Sequence, residues 1–326
     1  VLFVRSSGEE WLSPFRGKEN VRIIPAPFPH YSIREQLALP KLIVSSGCSL
    51  FYAPHFNVPL SCRVPFLCSV HDLILHHCPN QAPLFRRCAY RFLLRRAVLR
   101  ALYVVTVSEA TRADLARTYG AGIAAKVRVA YPGIDASFVR RDEGEVHALC
   151  QRYNLRRPFL LYVGNCKQHK NVPMLIQAFR EASLRDTELV LVANGKECAA
   201  IAPCPGVRIE DAIAHEHLPS LYSAASGFVT ATLLEGFGFP LLEAMACECP
   251  VLGTLCGSLP EVCGEHALLV ETSVPALAGG MRRILTDPEL RSPARLSAAH
   301  AHARSFHWDR TAATIASLFA SALPSP

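Results

Sequence analysis

The sequence predicts an α/β protein built from two doubly wound parallel-sheet domains in tandem, with a crevice between them. Three observations carry that expectation. Short apolar, β-branched runs alternate with helical patterns along the chain, as βαβ units require. The alternation loosens once, after Gly133, and restarts after Pro158. The 326 residues, 50% hydrophobic and 19% charged, suffice for about two domains of roughly 150 residues and exclude disorder as the main state.

In chain order, VLFVR, NVRIIPA, KLIVSS and RVPFLCSVHD read as strands. Arg86 to Arg100 reads as a helix, ALYVVTVS as a strand, Glu109 to Tyr119 as a helix and KVRVAYPG as a strand. The charged stretch DASFVRRDEGEVHALCQRYNLRRP reads as the linker and divides the chain into domains 1–148 and 149–326. Beyond it, strands are expected at FLLYVGN, ELVLVANG, SGFVTATL, PVLGTL and HALLVE. The intervening helices are Val172 to Leu184, His217 to Ala225 and PLLEAMACE, with helical sequence from Pro275 to about Leu318. Ligands are expected where strand C-termini face the crevice.

The net charge of +7 is uneven: residues 1–150 hold 19 Lys/Arg and 11 Asp/Glu, against 15 and 16 in the remainder. Much of the excess lies in Arg86–Arg100, where Arg87, Arg91 and Arg95 form one helical stripe and the apolar residues are expected on the opposite face. That helix is either an ordinary packed helix with a solvated face or a surface for anionic lipid headgroups or an acidic substrate. Nucleic acid ranks last, since no aromatic stacking platform accompanies the arginines. No apolar run reaches the length that spans a bilayer. The thirteen cysteines contain no C-x-x-C pair, so they read as small buried hydrophobes without a disulfide framework, in a reducing, cytoplasmic compartment. The chain begins at Val1 with neither Met nor a secretory leader, and is expected to lack its true start.

Two glycine turns carry the candidate chemistry. In TATLLEGFGFPLLEAMACECPVL, Glu235, Gly236, Phe237 and Gly238 precede a helix opened by Pro240. Glycines let backbone amides approach a ligand, and a helix start adds partial positive charge, an arrangement suited to phosphates. Glu235 and Glu243 can then face one crevice and meet ribose or hexose hydroxyls, although Glu243 near a helix start is also favoured by the dipole alone. In LYVGNCKQHKNVP, Gly164 ends a strand while Lys167 and Lys170 stand ahead of a helix, where they could neutralise a diphosphate. His71 and Asp72 end an expected strand facing the same crevice; a structural histidine is the alternative.

The run LLEGFGFPLLEAMACECPVLGTLCGSLPEV resembles the signature of the retaining GT-B glycosyltransferases of family 4, two glutamates separated by seven residues in a GFG-P context. LYVGNCKQHKN resembles the family's donor diphosphate loop, and SVHDL, VSEATRADL, VRVAYPGID and FHWDRTA resemble its other landmarks in order. The resemblance implies a GT-B fold with two Rossmann-like domains, the first on the acceptor side and the last helix returning to it. It implies Glu243 as ribose ligand, Glu235 with the Gly236–Gly238 backbone as donor-sugar contact, Lys170 as diphosphate ligand, and His71 as a contact near the reacting carbon. The implied reaction moves a hexose, mannose first, from a nucleotide diphosphate sugar such as GDP-mannose to an acceptor hydroxyl, without cofactor or metal. The partners are the donor, a saccharide or lipid-linked acceptor and an anionic membrane surface met through Arg86–Arg100, with the enzyme peripheral on the inner face.

Three features depart from the pattern. Asn165 stands where many members carry Arg, so Lys167 or Lys170 must supply the charge. The family's opening strand and glycine-rich loop have no counterpart, and GVRIEDAIAHEHLPSLY lacks the glycine usual in the base-contacting segment. These leave two rivals, a non-catalytic GT-B protein that only binds nucleotide sugar and a nucleotide-sugar epimerase.

Overall fold

Runs in which nearly every residue is apolar become central strands, because parallel sheets are covered on both faces: all of Phe66–Val70 and most of Phe159–Val163 are buried. The structure, a computed structural model, describes residues 1–323 except Ser7, Pro79, Asn80, Asn194 and Ala212; the ends of the expected ELVLVANG strand and GVRIEDA segment thus fall partly outside the described residues.

The first domain contains β1 (Leu2–Val4), β2 (Ile23–Pro25), α1 (Ile33–Ser45), β3 (Phe51–Ala53), β4 (Phe66–Val70), α2 (Ile74–His77), α3 (Leu84–Arg100), β5 (Tyr103–Thr106), α4 (Glu109–Tyr119) and β6 (Val127–Val129). Strands β3 to β6 form a parallel sheet in sequence order, while β1 and β2 pair only with each other. The second domain contains α5 (Glu143–Arg152), β7 (Phe159–Val163), α6 (Val172–Ala182), β8 (Glu188–Val192), α7 (Lys196–Ala199), β9 (Val207–Glu210), α8 (Leu218–Ala224) and β10 (Gly227–Val229). It continues through α9 (Phe239–Ala246), β11 (Val251–Thr254), α10 (Leu259–Cys263), β12 (Leu268–Val270), α11 (Val274–Thr286) and α12 (Pro293–Arg304). Its parallel sheet has the order β12-β11-β10-β7-β8-β9, the doubly wound arrangement with a switch point between β7 and β10. A last helix, α13 (Trp308–Ala322), returns to the first domain: Leu318 is buried with Leu67, Val105 and Ala130, and the Phe319 ring meets Tyr52.

The chain therefore crosses between the domains twice, and the crossings touch. The Ile134 amide donates to the Phe306 carbonyl at 3.0 Å, and Gly133 lies so near the Trp308 backbone that a Cβ would come within 2.2 Å of its nitrogen.

Four expectations are corrected. KLIVSS is the second half of α1, not a strand. The Ser32 hydroxyl accepts from the Glu35 amide at 3.0 Å, and the Glu35 carboxylate accepts from the Tyr31 amide at 2.8 Å. This reciprocal cap nucleates a helix that overrides the β-branched run. The boundary at 148/149 falls inside α5, which packs against α8, so the second domain begins before Glu143. On α3 only Tyr90, Leu94, Ala97 and Val98 are buried; Phe85 and Phe92 are 69% and 58% exposed, on the same outer surface as the arginines rather than opposite them. Finally, Cys166 and Cys198 form a disulfide, and of the eleven free cysteines Cys88 is exposed.

Candidate active site

Strands β7 and β10 are neighbours, with Leu160 opposite Gly227 and Leu161 opposite Phe228. The loops leaving their C-terminal ends are the two glycine turns of the sequence, so the switch point itself brings them together. The Thr232 hydroxyl and the Leu233 amide both donate to the His169 carbonyl, at 3.1 and 2.7 Å. Lys170 Nζ lies 2.5 Å from Glu235 Oε1, the two side chains being only 14% and 10% exposed. Removing either partner would leave the other charge largely dehydrated and alone.

Beyond Glu235 the chain is pinned from α10. The Ser258 amide donates to the Glu235 carbonyl at 3.3 Å, and its hydroxyl lies 2.9 Å from the Phe237 carbonyl. The Phe237 ring packs between Phe239 and Phe306, so this residue offers a ligand only its backbone. Gly238, at φ +103°, turns the chain into α9. Among the described residues the amides of Gly236, Phe237, Gly238 and Phe239 donate to no protein acceptor, and they stand at a helix start suited to an anion. Gly164 differs: its amide donates to the Val192 carbonyl at 3.0 Å, so it ends the strand and contributes shape to the loop rather than a free donor.

The first domain reaches the same place. A Cβ on Gly236 would lie 2.3 Å from the His71 carbonyl oxygen and 3.1 Å from Asp72 Cβ. Glycine is needed here by close approach. His71 Nε2 is 2.8 Å from the Pro54 carbonyl; a carbonyl can only accept, so Nε2 carries the proton and the neutral ring keeps its lone pair on Nδ1. His169, buried, places Nδ1 3.1 Å from the Gln81 side-chain amide, and burial, then Lys170 and Lys167, push its pKa down to about 4.

Glu243, one turn into α9, has its own partner, the Tyr222 hydroxyl, which donates to Oε2 at 2.8 Å. Burial raises the Glu243 pKa; the Tyr222 bond and His215 oppose the rise. Lys167 is exposed and borders a cleft of about 1110 Å³ that Tyr31, Asp72, Phe85, Arg86 and Tyr90 line from the first domain. Glu261 joins the domains beside this site. Its carboxylate accepts from the Glu109 and Ala110 amides at the start of α4, at 2.6 and 2.9 Å, and from the Tyr131 hydroxyl at 2.8 Å.

The structure thus gathers Lys170, Glu235 and the Gly236–Gly238 backbone and brings the His71 backbone carbonyl against them, while Lys167 borders the neighbouring cleft and Glu243 pairs with Tyr222. Tyr222, Ser258 and Glu261 escape sequence reasoning. Each acts on a partner distant in the chain, and an SLP turn or an LY pair inside a helix looks like ordinary packing.

Residues 2–138 match glycosyltransferase family 4 and residues 157–287 match the group 1 glycosyl transferases. The O-antigen chain mannosyltransferase B of Escherichia coli is 27% identical over 273 residues, covering 80% of this chain and 71% of the relative. The O-antigen chain mannosyltransferase RfbU of Salmonella typhimurium is 28% identical over 254 residues, covering 75% and 67%. Sucrose-phosphate synthase from Thermosynechococcus elongatus has a TM-score of 0.74 at 22% identity, over 92% of this chain and 83% of that one. Anabaena HepE, solved in complex with UDP-glucose, has a TM-score of 0.75 at 18% identity, over 95% and 88%. The structural likenesses speak for the fold alone, and the sequence matches extend over both domains. The chain thus carries a glycosyltransferase family 4 domain and a group 1 glycosyl transferase domain on a GT-B fold, and is an enzyme of the hexosyltransferase class.

Proposed function

We propose that the protein moves a mannosyl group from GDP-mannose to a hydroxyl of a saccharide or lipid-linked saccharide, with retention at the anomeric carbon. The observation that carries this reading is the meeting of the Lys170–Glu235 pair with a helix start whose amides, among the described residues, are unshared, against the His71 backbone carbonyl. In this reading Lys170, Lys167 and the amides of 236–239 offset the charge of the departing diphosphate, with no metal required, and they are placed before the charge develops. Glu235 accepts from donor-sugar hydroxyls, His71 Nδ1 accepts from a sugar hydroxyl near the reacting carbon, and Glu243 accepts from the ribose. On the front face the acceptor oxygen bonds to the anomeric carbon as the glycosidic bond to phosphate breaks. The freed phosphate oxygen takes the acceptor proton.

The two mannosyltransferase relatives support mannose, and the HepE complex makes UDP-glucose the competing donor. Thermal unfolding with GDP-mannose, GDP, UDP-glucose and UDP tests the choice, since a ligand bound only by the folded state raises the midpoint. A shift with GDP-mannose is expected, followed by an α-linked product seen by NMR. A shift with UDP-glucose alone overturns the donor, and an inverted product overturns the route.

The outer surface of α3 supports an anionic membrane as the setting of the acceptor. Arg91, Arg95 and Arg96 are exposed beside Phe92, and no acidic residue interrupts the helix. Each such cation near an anionic surface contributes about 1 kcal/mol, and aromatic side chains seat in the interface. Among the described residues no helix is long and apolar enough to cross a membrane. Binding to vesicles containing phosphatidylglycerol, weakened by salt and by Arg91→Ala with Arg95→Ala, is expected; equal binding to neutral vesicles refutes the electrostatic part.

A further inference from the structure

We propose that Tyr222 is a positioning residue for ribose recognition, holding one oxygen of Glu243 so that the other meets the nucleotide. The inference rests on the reading of Glu243 as ribose ligand. Tyr222 belongs to α8, and none of its surface is exposed. Its ring is fixed by Phe138, at 6.0 Å between centroids, and by Phe228, at 5.9 Å. A buried phenol fixed in this way cannot swing, so the direction of its O–H is set by the core of the domain.

That O–H goes to a side chain on another helix rather than to a nearby backbone carbonyl, donating to Glu243 Oε2 at 2.8 Å. Phenylalanine would fill the same space. The hydroxyl is therefore the only part of Tyr222 that packing does not explain, and it acts on the carboxylate alone. With Oε2 held, the carboxylate plane stays fixed and Oε1 retains its acceptor capacity, two lone pairs in a defined direction. A vicinal diol of a ribose is the ligand chemistry that such a preset acceptor suits. Desolvation disfavours the charged form of Glu243 and the phenol bond favours it, so the same contact that aims the carboxylate also offsets part of its burial.

The test is calorimetric titration of GDP and of 2′,3′-dideoxy-GDP, with UDP and its dideoxy analogue in parallel, into the full chain and two variants. Tyr222→Phe keeps the ring and removes the bond. It is expected to weaken binding of the ribonucleotide about tenfold or more, the usual effect of one hydrogen bond to a charged group, and to leave the dideoxy analogue unchanged. Turnover should show the same split, with KM for the donor raised and kcat retained, as for a contact equal in ground and transition states. Dideoxynucleotide binding also reports that the variant is folded. Equal weakening of both nucleotides would make Tyr222 merely structural, and no weakening of either would remove the hydroxyl from recognition; either result overturns the inference. Glu243→Ala separates this failure from failure of the underlying reading. If Glu243→Ala distinguishes ribose from dideoxyribose and Tyr222→Phe does not, only the inference falls. If Glu243→Ala does not distinguish them, the ribose role falls and takes the inference with it.

Discussion

Adding one methyl group at Gly236 is the sharpest perturbation the site offers. The new Cβ would sit 2.3 Å from the His71 carbonyl oxygen, whereas carbon and oxygen in contact settle at about 3.3 Å, so about 1 Å of separation must be created. The second domain cannot supply it. Ser258 holds the loop on both sides of Gly236, and Phe237 is wedged between Phe239 and Phe306. The first domain must retreat instead, carrying His71 away from the Gly236 loop. A displacement of about 1 Å at a reacting centre costs about 100-fold in rate. Under the proposed reaction, Gly236→Ala is therefore expected to lower kcat for GDP release from GDP-mannose by about two orders of magnitude. Affinity for GDP should change by less than about threefold, because Lys170 and Glu243 lie on the domain that stays in place. Rate assays and calorimetry on the same preparation check both numbers. Undiminished turnover would refute the apposition of His71 and Gly236, and a parallel loss of GDP binding would refute the division of labour between domains.

Removing the Glu261 carboxylate by Glu261→Ala takes away three hydrogen bonds that join the domains. Losing one of about 1.5 kcal/mol already shifts the open–closed balance about tenfold, so small-angle scattering should show a larger radius of gyration; an unchanged profile would count against the clamp. Lys170→Ala should destabilise the fold by about 3 kcal/mol by leaving Glu235 unpaired. Combining Lys170→Met with Glu235→Gln should restore the unfolding midpoint without restoring turnover, and recovered turnover would remove both residues from the chemistry. Burial lowers the pKa values of His55 and His169 to about 4, with positive neighbours adding to the effect. Between pH 6.5 and 4 the unfolded chain binds protons that the native state does not, so stability falls as pH drops through that window. Glu243, raised by burial, acts in the opposite sense. The unfolding midpoint should decline below pH 6.5, with the slope reduced in His169→Gln; an equal slope would show that His169 is not buried neutral.

Much of the architecture is legible in the sequence because buried parallel strands must be apolar throughout. FLLYV and ELVLV are read without ambiguity, as is α4, framed by the Ser108 cap and Gly120. The misread elements are those where signals compete. In α1, Pro40 and the run Leu42 to Val44 argue against a helix that the Ser32 and Glu35 cap establishes. In α5, dense charge hides the buried pair Val146 and Leu149. The Glu235 and Lys170 loops were within reach because they leave neighbouring strands of a doubly wound sheet. Partners 152 residues apart, as Glu261 and Glu109 are, share no local pattern, and neither do Cys166 and Cys198, 32 residues apart without a motif.

Two covalent bridges between lobes usually oppose sliding and twisting, yet here both pass through one small patch, where Gly133 and Ile134 meet Phe306 and Trp308. Bodies tethered at a single point can still pivot cheaply about it. The jaw is thereby given its axle. Any bulk introduced at Gly133 would strike the backbone of the returning segment, and its effect would be felt where Gly236 meets His71.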